Sequence, residues 1–345
     1  MLHKISLASL SLAVVLLIFF ACYVNLSVPK PVMEEQDIYY SYVEGNRLVK
    51  GENPYARILE SDMSRNKKYP TYFPVFYELS YASQKLGLQS FMDWMAVWRI
   101  VFMVFEFAIA ALLYVVLARR NLAWAGVFAA AFWLFNRWTL NMVGTENLDF
   151  IPIFLLLASL ELFPRKKGLS LFLFSLSLGF KQIAIFLAPL YLIWIFRSAG
   201  KDWLKQVLKS AAMIASVPLL SSLPFLVWDA KGFILSILFS ADRAGNTFGG
   251  LSLDTIMGWN GLPARFAMLA LMAMVYVIAL QGSLKKYLLS FWVMLVFVCF
   301  NTVLFAQYLV WTLPLLLILL CDFQNPAPSN LTDRATLEST ALPKT

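Results

Sequence analysis

Apolar runs long enough to cross a bilayer recur along almost the whole chain, and short basic clusters separate them. The first run, Ile5 to Val24, follows Lys4. Later ones cover approximately 95–117, 122–140, 149–163, 169–180, 182–196, 207–227, 263–281, 287–301 and 303–320. A crossing helix needs about 20 apolar residues, so about ten such segments leave little room for a soluble domain. Composition agrees, with 60% hydrophobic and only 14% charged residues. In hydrocarbon every backbone N–H and C=O must be satisfied internally, which favours helices. The expected fold is an all-α polytopic membrane protein of about ten transmembrane helices.

Charge placement then orients the chain. The formal charge is +8, and Lys and Arg cluster beside apolar runs: Arg119-Arg120, Arg165-Lys166-Lys167, Arg197 with Lys201, Lys205 and Lys209, and Lys285-Lys286. By the positive-inside rule these clusters mark cytoplasmic ends, and they are read as topology rather than as a nucleic-acid surface. The first run lacks a small-x-small cleavage site and is expected to be a retained helix. Residues 25–93 then form an extracytoplasmic loop with interfacial helices, one of them over Phe73 to Leu88. The two short runs over 169–196 read as a hairpin whose tip, near Lys181-Gln182, points outward. Residues 1–322 are expected to be a single membrane domain. Residues 323–345, rich in Pro, Ser and Thr, read as a disordered cytoplasmic tail.

The chemistry available is narrow. His3 is the only histidine, and Cys22, Cys299 and Cys321 show no Cys-x-x-Cys spacing. Histidine triads, His-ligated zinc and haem are set aside, and acid–base work falls to carboxylates, Lys or Tyr. Asp37, flanked by Glu34, Glu35, Tyr39 and Tyr40, reads either as a general base at the membrane edge or as a hydrated acidic turn. Lys181 interrupts two apolar runs, which suits either an anion ligand or a snorkelling amine. Arg243 offers a guanidinium fork for phosphate or is simply exposed. Glu146, Asn147 and Asp149 open a helix, where capping is a sufficient explanation for Asn147 or Asp149. Glu106 lies within the run Val101–Val116, where an ion pair with Arg99 or Arg137 is expected. Gln307 and Tyr308 begin the last apolar run, where aromatics form interfacial belts.

Several landmarks occur in a telling order: Asp37-Ile38-Tyr39-Tyr40 after the first helix, Gly51-Glu52-Asn53-Pro54-Tyr55, and Tyr72-Phe73-Pro74-Val75-Phe76. Later come Asn147-Leu148-Asp149, Phe180-Lys181-Gln182 after Gly179, and Phe305-Ala306-Gln307-Tyr308-Leu309-Val310-Trp311-Thr312-Leu313-Pro314. In these the chain resembles the GT-C superfamily of integral-membrane glycosyltransferases, most of all its polyprenol-phosphate-mannose-dependent mannosyltransferase branch. It departs from that pattern at Tyr72-Phe73-Pro74-Val75, where many relatives have Tyr-Pro-Pro-Leu.

The resemblance implies inverting transfer of a hexose, mannose first, from a polyprenyl-phosphate donor to an extracytoplasmic glycan or glycolipid acceptor. It implies Asp37 as base, Lys181 at the matching lysine position, metal-independent chemistry and a bacterial plasma-membrane setting. Arg243 joins Lys181 as a lipid-phosphate candidate by charge and location alone. Glu34, Glu35, Tyr39, Tyr40, Glu146, Asn147, Asp149, Gln307 and Tyr308 are then candidates for holding sugar or acceptor. A protein partner subunit is compatible with this picture. The competing readings are a transporter or lipid flippase, which lacks the expected internal repeat, and a non-catalytic component of a glycan-assembly complex.

Overall fold

The computed structural model describes residues 2–60, 68–242, 256–259, 262–282, 284–301 and 306–322. All of their regular structure is helical. The first part of the chain gives α1 (Leu2–Ser27), α2 (Asp37–Val49), the short α3 (Arg57–Glu60) and α4 (Val75–Lys85). Next come α5 (Phe91–Ala118), α6 (Ala123–Phe135), α7 (Arg137–Gly144), α8 (Phe150–Leu162), α9 (Lys167–Phe180) and α10 (Ala188–Ser198). The chain continues with α11 (Trp203–Asp242), α12 (Leu262–Gln281), α13 (Lys286–Phe300) and α14 (Ala306–Asp322). Arg243 and residues 323–345 lie outside the described residues.

Among the described residues, four segments are long and apolar enough to cross a membrane: Ser9–Ser27, Phe91–Ala118, Gly200–Phe239 and Pro263–Gln281. Six further apolar helices are shorter, at 10–17 residues. A 13-residue helix such as α8 rises only about 20 Å, less than the hydrocarbon thickness of about 30 Å. Shortness here has local causes. The run expected over 122–140 is broken at Asn136, whose Oδ1 accepts from the backbone N–H groups of Trp138 and Thr139, both at 3.0 Å, and so caps α7. α9 stops at Lys181, which has extended backbone angles.

The long α11 is two helices joined at Asp229, with φ −158° and ψ 89°. Asp229 Oδ1 accepts from the Gly232 backbone N–H at 3.0 Å and caps the second half. The apolar run expected to end at 227 therefore turns into a surface helix over 230–242.

α8 lies at the centre of the bundle. It packs against α5 and α9, α9 packs on α11, and α13 packs on α12 and α14. Its hydroxyl Ser159 meets Ser170 of α9 and Tyr191 of α10 in a buried three-way hydrogen-bonded contact of 2.7–3.1 Å. α1, by contrast, presents Val15, Leu16, Phe19 and Phe20 outward. A largely uncovered apolar helix is what a lipid-facing segment requires.

Two chemically different ends result. At one, Arg119 approaches Glu161 at 3.9 Å, Tyr287 Oη donates to Glu161 at 2.7 Å, and Lys286 Nζ donates to the Leu160 carbonyl. The opposite end carries the long polar segment between α1 and α5. There α2 and α4 approach so closely that a Cβ on Gly45 would stand 2.3 Å from Ser80 Oγ and 2.7 Å from Ser80 Cβ.

Beside this helix pair, Asn53 Oδ1 accepts from the Tyr55 backbone N–H at 3.0 Å, and Pro54 opens a turn that drives Tyr55 into an aromatic nest. Tyr55 is fully buried against Tyr77, Phe225 and Phe233, with ring centroids 4.8–6.1 Å away. A Cβ on Gly232 would come 3.0 Å from the Tyr55 carbonyl oxygen, so the surface half of α11 lies directly on this turn.

Candidate active site

The stretch 69–74 contains two prolines and cannot run on as helix. Its carbonyls need donors from elsewhere, and side chains from three distant elements supply them. Ser236 Oγ donates to the Pro70 carbonyl at 2.8 Å, Gln182 Nε2 to that of Thr71, and Tyr55 Oη to that of Tyr72 at 2.8 Å. This strap lays the Tyr72 ring beneath Lys181, whose ammonium sits 4.9 Å from the ring centroid.

Lys181 itself is buried, and its Nζ lies 2.5 Å from Asp149 Oδ1. The other carboxylate oxygen, Asp149 Oδ2, accepts from Trp311 Nε1 at 3.2 Å. Capping therefore does not account for Asp149. Its carboxylate makes no cap hydrogen bond to α8 and is spent on Lys181 and Trp311 instead. Asn147 does shape the turn, with Oδ1 accepting from the Asp149 backbone N–H at 3.0 Å. Its Nδ2 donates to Gln307 Oε1 at 2.8 Å, across 160 positions of sequence. Gln307 in turn adds to the polar field that holds Asp37 ionised.

Asp37 opens α2, and its carboxylate pairs with Lys68. Lys68 also lies 4.9 Å from the centroid of the Tyr40 ring. Burial by itself would raise the Asp37 carboxyl. The Lys68 charge and hydrogen bond, the charge of Lys181 and the Gln307 amide outweigh it, and the group stays below the ordinary aspartate value. Asp37 is thus an anion at neutral pH, with 43% of its side chain exposed. An accessible, ionised carboxylate beside an equally accessible ammonium, at 35% exposure, can accept a proton on one side and hold an anion on the other.

Four residues singled out in the sequence, Asn147, Asp149, Lys181 and Gln307, are thus joined in one chain of contacts, and Asp37, paired with Lys68, feels the charge of Lys181. Tyr40 reaches this site through Lys68, and the other residues are placed as follows. Glu34 and Glu35 are exposed on a single 3₁₀ turn. Tyr39 packs edge-on against Phe91 at 5.0 Å. Tyr308 packs on Phe297 at 5.6 Å.

Glu146, in a left-handed conformation with φ 50°, is held by Lys30 at 2.8 Å and Arg99 at 2.6 Å. That pairing corrects the ion pair expected for Glu106. Arg99 lies in the first half of α5, where the Glu146 turn arrives, and Glu106 is buried with neither carboxylate oxygen hydrogen-bonded.

Lys68, Tyr72 and Trp311 complete the site without having been singled out for it. Lys68 closes the polar run Ser61 to Lys68, where charge is unremarkable, and only its contact with Asp37, 31 positions earlier, gives it meaning. Neither a protein-family profile nor a curated protein matches this chain.

Proposed function

We propose that this chain is an integral-membrane glycosyltransferase of the GT-C kind. It moves a hexose, mannose first among candidates, from a polyprenyl phosphate to a hydroxyl of a glycan or glycolipid. The observation that carries this reading is the meeting of the α7–α8 turn, the α9 break and the start of α14 at one end of the bundle, through Asn147–Gln307, Lys181–Asp149 and Asp149–Trp311, beside a first-loop carboxylate, Asp37, that feels the charge of Lys181.

In this reading about ten helices cross the membrane, the N-terminus and the basic clusters are cytoplasmic, and the site opens on the extracytoplasmic face of a bacterial plasma membrane. α4 lies in the interface. Asp37 accepts the proton of the acceptor hydroxyl as its oxygen attacks the anomeric carbon from the face opposite the leaving group. The new C–O bond forms, the bond from that carbon to the phosphate oxygen breaks with its electron pair, and configuration inverts. Polyprenyl phosphate leaves with added negative charge. The half-exposed Lys68 is the cation placed to take that charge, and in leaving Asp37 it frees the base.

The test is a donor screen with purified protein in vesicles and short-chain polyprenyl-phosphate sugars, with products identified by mass spectrometry. A positioned base contributes about 10²–10⁴-fold, and Asp37→Asn is expected to lose at least that much while retaining donor binding. Full transfer by Asp37→Asn would refute the assignment. Lys68→Met is expected to move the acid limb of the pH–rate profile upward, because the cation that holds Asp37 down is gone.

A further inference from the structure

α12 and α13 are consecutive helices that pack against each other across a short turn, and a cavity of about 370 Å³ opens between them. Ile278 and Leu284 line it at the turn, Val275 and Trp292 along its length, and Leu271 and Phe300 at the far end. Met274, Leu284 and Trp292 are exposed, so the groove opens outward rather than being sealed in the core. Its size falls among sites that hold small molecules, about 300–1,000 Å³. Its walls are apolar side chains and the Cys299 thiol. An occupant must be hydrocarbon along its body, with any charge at an end.

The turn end is basic. α10 packs on α12 there, and Arg197 in its last turn lays a guanidinium across the end of α12. Arg197 Nη1 donates to the Ala279 carbonyl at 3.4 Å, and the group fills the space where a Cβ on Gly282 would stand. Arg197 is still exposed, and among the described residues no other acceptor takes the remaining donors of its fork. Lys285, one position beyond Leu284, is also exposed and has no hydrogen-bond or ion-pair partner among the described residues. Lys167 stands beside Arg197 and donates to Ser198 Oγ at 3.0 Å. Of the acids at this end, Glu161 is engaged by Tyr287 and Arg119, and Asp202 follows Lys201.

Arg197 could serve α12 alone, as a cation at a helix C-terminus, and Lys285 could merely mark the cytoplasmic side. Neither role calls for an open apolar groove that begins beside both cations. α13 rises about 22 Å over its 15 residues, more than the roughly 15 Å of hydrocarbon in one leaflet. A lipid chain whose headgroup sits at the turn therefore fits the length of the groove.

We propose that this groove holds one acyl chain of an anionic phospholipid of the cytoplasmic leaflet, with its phosphate against Arg197 and Lys285. Basic pockets between transmembrane helices on that side suit anionic headgroups. The proposal rests on the membrane reading of the fold and is independent of the chemistry assigned to Asp37, which lies at the opposite end of the bundle.

The experiment uses full-length protein in phosphatidylcholine vesicles doped with one of two photoactivatable lipids. Both carry a diazirine on an acyl chain, and they differ only in headgroup, phosphatidylglycerol against phosphatidylcholine. Crosslinked peptides are identified by mass spectrometry, with labelling of the outward-facing α1 as the internal standard. The phosphatidylglycerol probe is expected to label the peptides lining the groove about tenfold more than the phosphatidylcholine probe. Arg197→Gln/Lys285→Gln should bring that ratio close to one. Lys285→Gln alone changes only an exposed side chain, so folding is kept, and it should already lower the ratio. Val275→Trp fills the groove and should reduce labelling there by either probe.

Equal labelling by the two headgroups overturns the proposal. So does a preference unmoved by loss of both cations, or undiminished labelling of Val275→Trp. Labelling displaced by polyprenyl phosphate but not by unlabelled phosphatidylglycerol overturns it as well, and would assign the groove to the donor's chain.

Discussion

Gly45→Ala separates two opposing effects whose sizes are readable from the structure. Gly45 lies inside α2, and in an isolated helix alanine would be favoured over glycine by about 1 kcal/mol. Packing argues the other way. The added methyl would sit 2.3 Å from Ser80 Oγ, 2.7 Å from Ser80 Cβ and 2.8 Å from Gln84 Nε2. A hydroxyl can rotate away, but a Cβ is tied to the α4 backbone, so the helices must separate.

Overpacking of this kind costs about 1–3 kcal/mol, and the contact with a fixed atom places it at the upper end, for a net loss of roughly 2 kcal/mol. Thermal unfolding in detergent, followed by the fluorescence of the 11 tryptophans, gives the sign directly. The double change Gly45→Ala/Ser80→Gly adds a methyl to one helix and removes from the other the hydroxymethyl it would strike. It is expected to be more stable than the sum of the two single changes by about 1 kcal/mol or more. An alanine variant as stable as the parent, or single changes that simply add, would refute the argument that close approach requires this glycine.

Four further outcomes are expected. Tyr55→Phe removes a hydrogen bond to the Tyr72 carbonyl and is expected to cost about 1 kcal/mol in the same assay, with no change in ring packing. Glu44 is buried, and its carboxyl is pushed up to about 7, with Arg57 and Arg47 pulling the other way. A value raised on folding means that its contribution to stability is full below about 4.5 and is lost as pH rises toward 7. Melting curves across that interval should show the decline, and Glu44→Gln should flatten it. Glu146→Gln disrupts contacts to Lys30 and Arg99 and is expected to lower stability by roughly 1–3 kcal/mol. Glu106→Gln, at a carboxylate without hydrogen bonds, is expected to leave stability unchanged or raise it.

What the sequence made legible follows physical scale. A charge within an apolar run announces itself, and Lys181 marked a real break between α9 and the turn that follows. The bracketing prolines and aromatics of the strap were visible as a motif, but the donors that hold it were not, because a carbonyl's partner leaves no local trace. α2 was hidden for another reason. Its buried face is Ile38, Ser41, Glu44 and Gly45, so the periodicity is present without an apolar stripe to reveal it. The Asn136 break was missed because one amide in an apolar run carries little hydropathy weight, although its side chain is enough to restart a helix. Pairings such as Asn147 with Gln307, and Arg99 with Glu146 rather than Glu106, depend on which helix ends meet, which composition cannot specify.

The strap also sets a timetable for biogenesis. Its Pro70 carbonyl waits for Ser236, 166 positions later, and its Thr71 carbonyl for Gln182, 111 positions later. At ribosomal rates of about 5–20 residues per second, roughly 8–30 s separate emergence of the first loop from arrival of its last anchor. Asn147 and Asp149 likewise wait for Gln307 and Trp311, 160 and 162 positions later. A stalled or truncated chain lacking α14 would leave both without these partners.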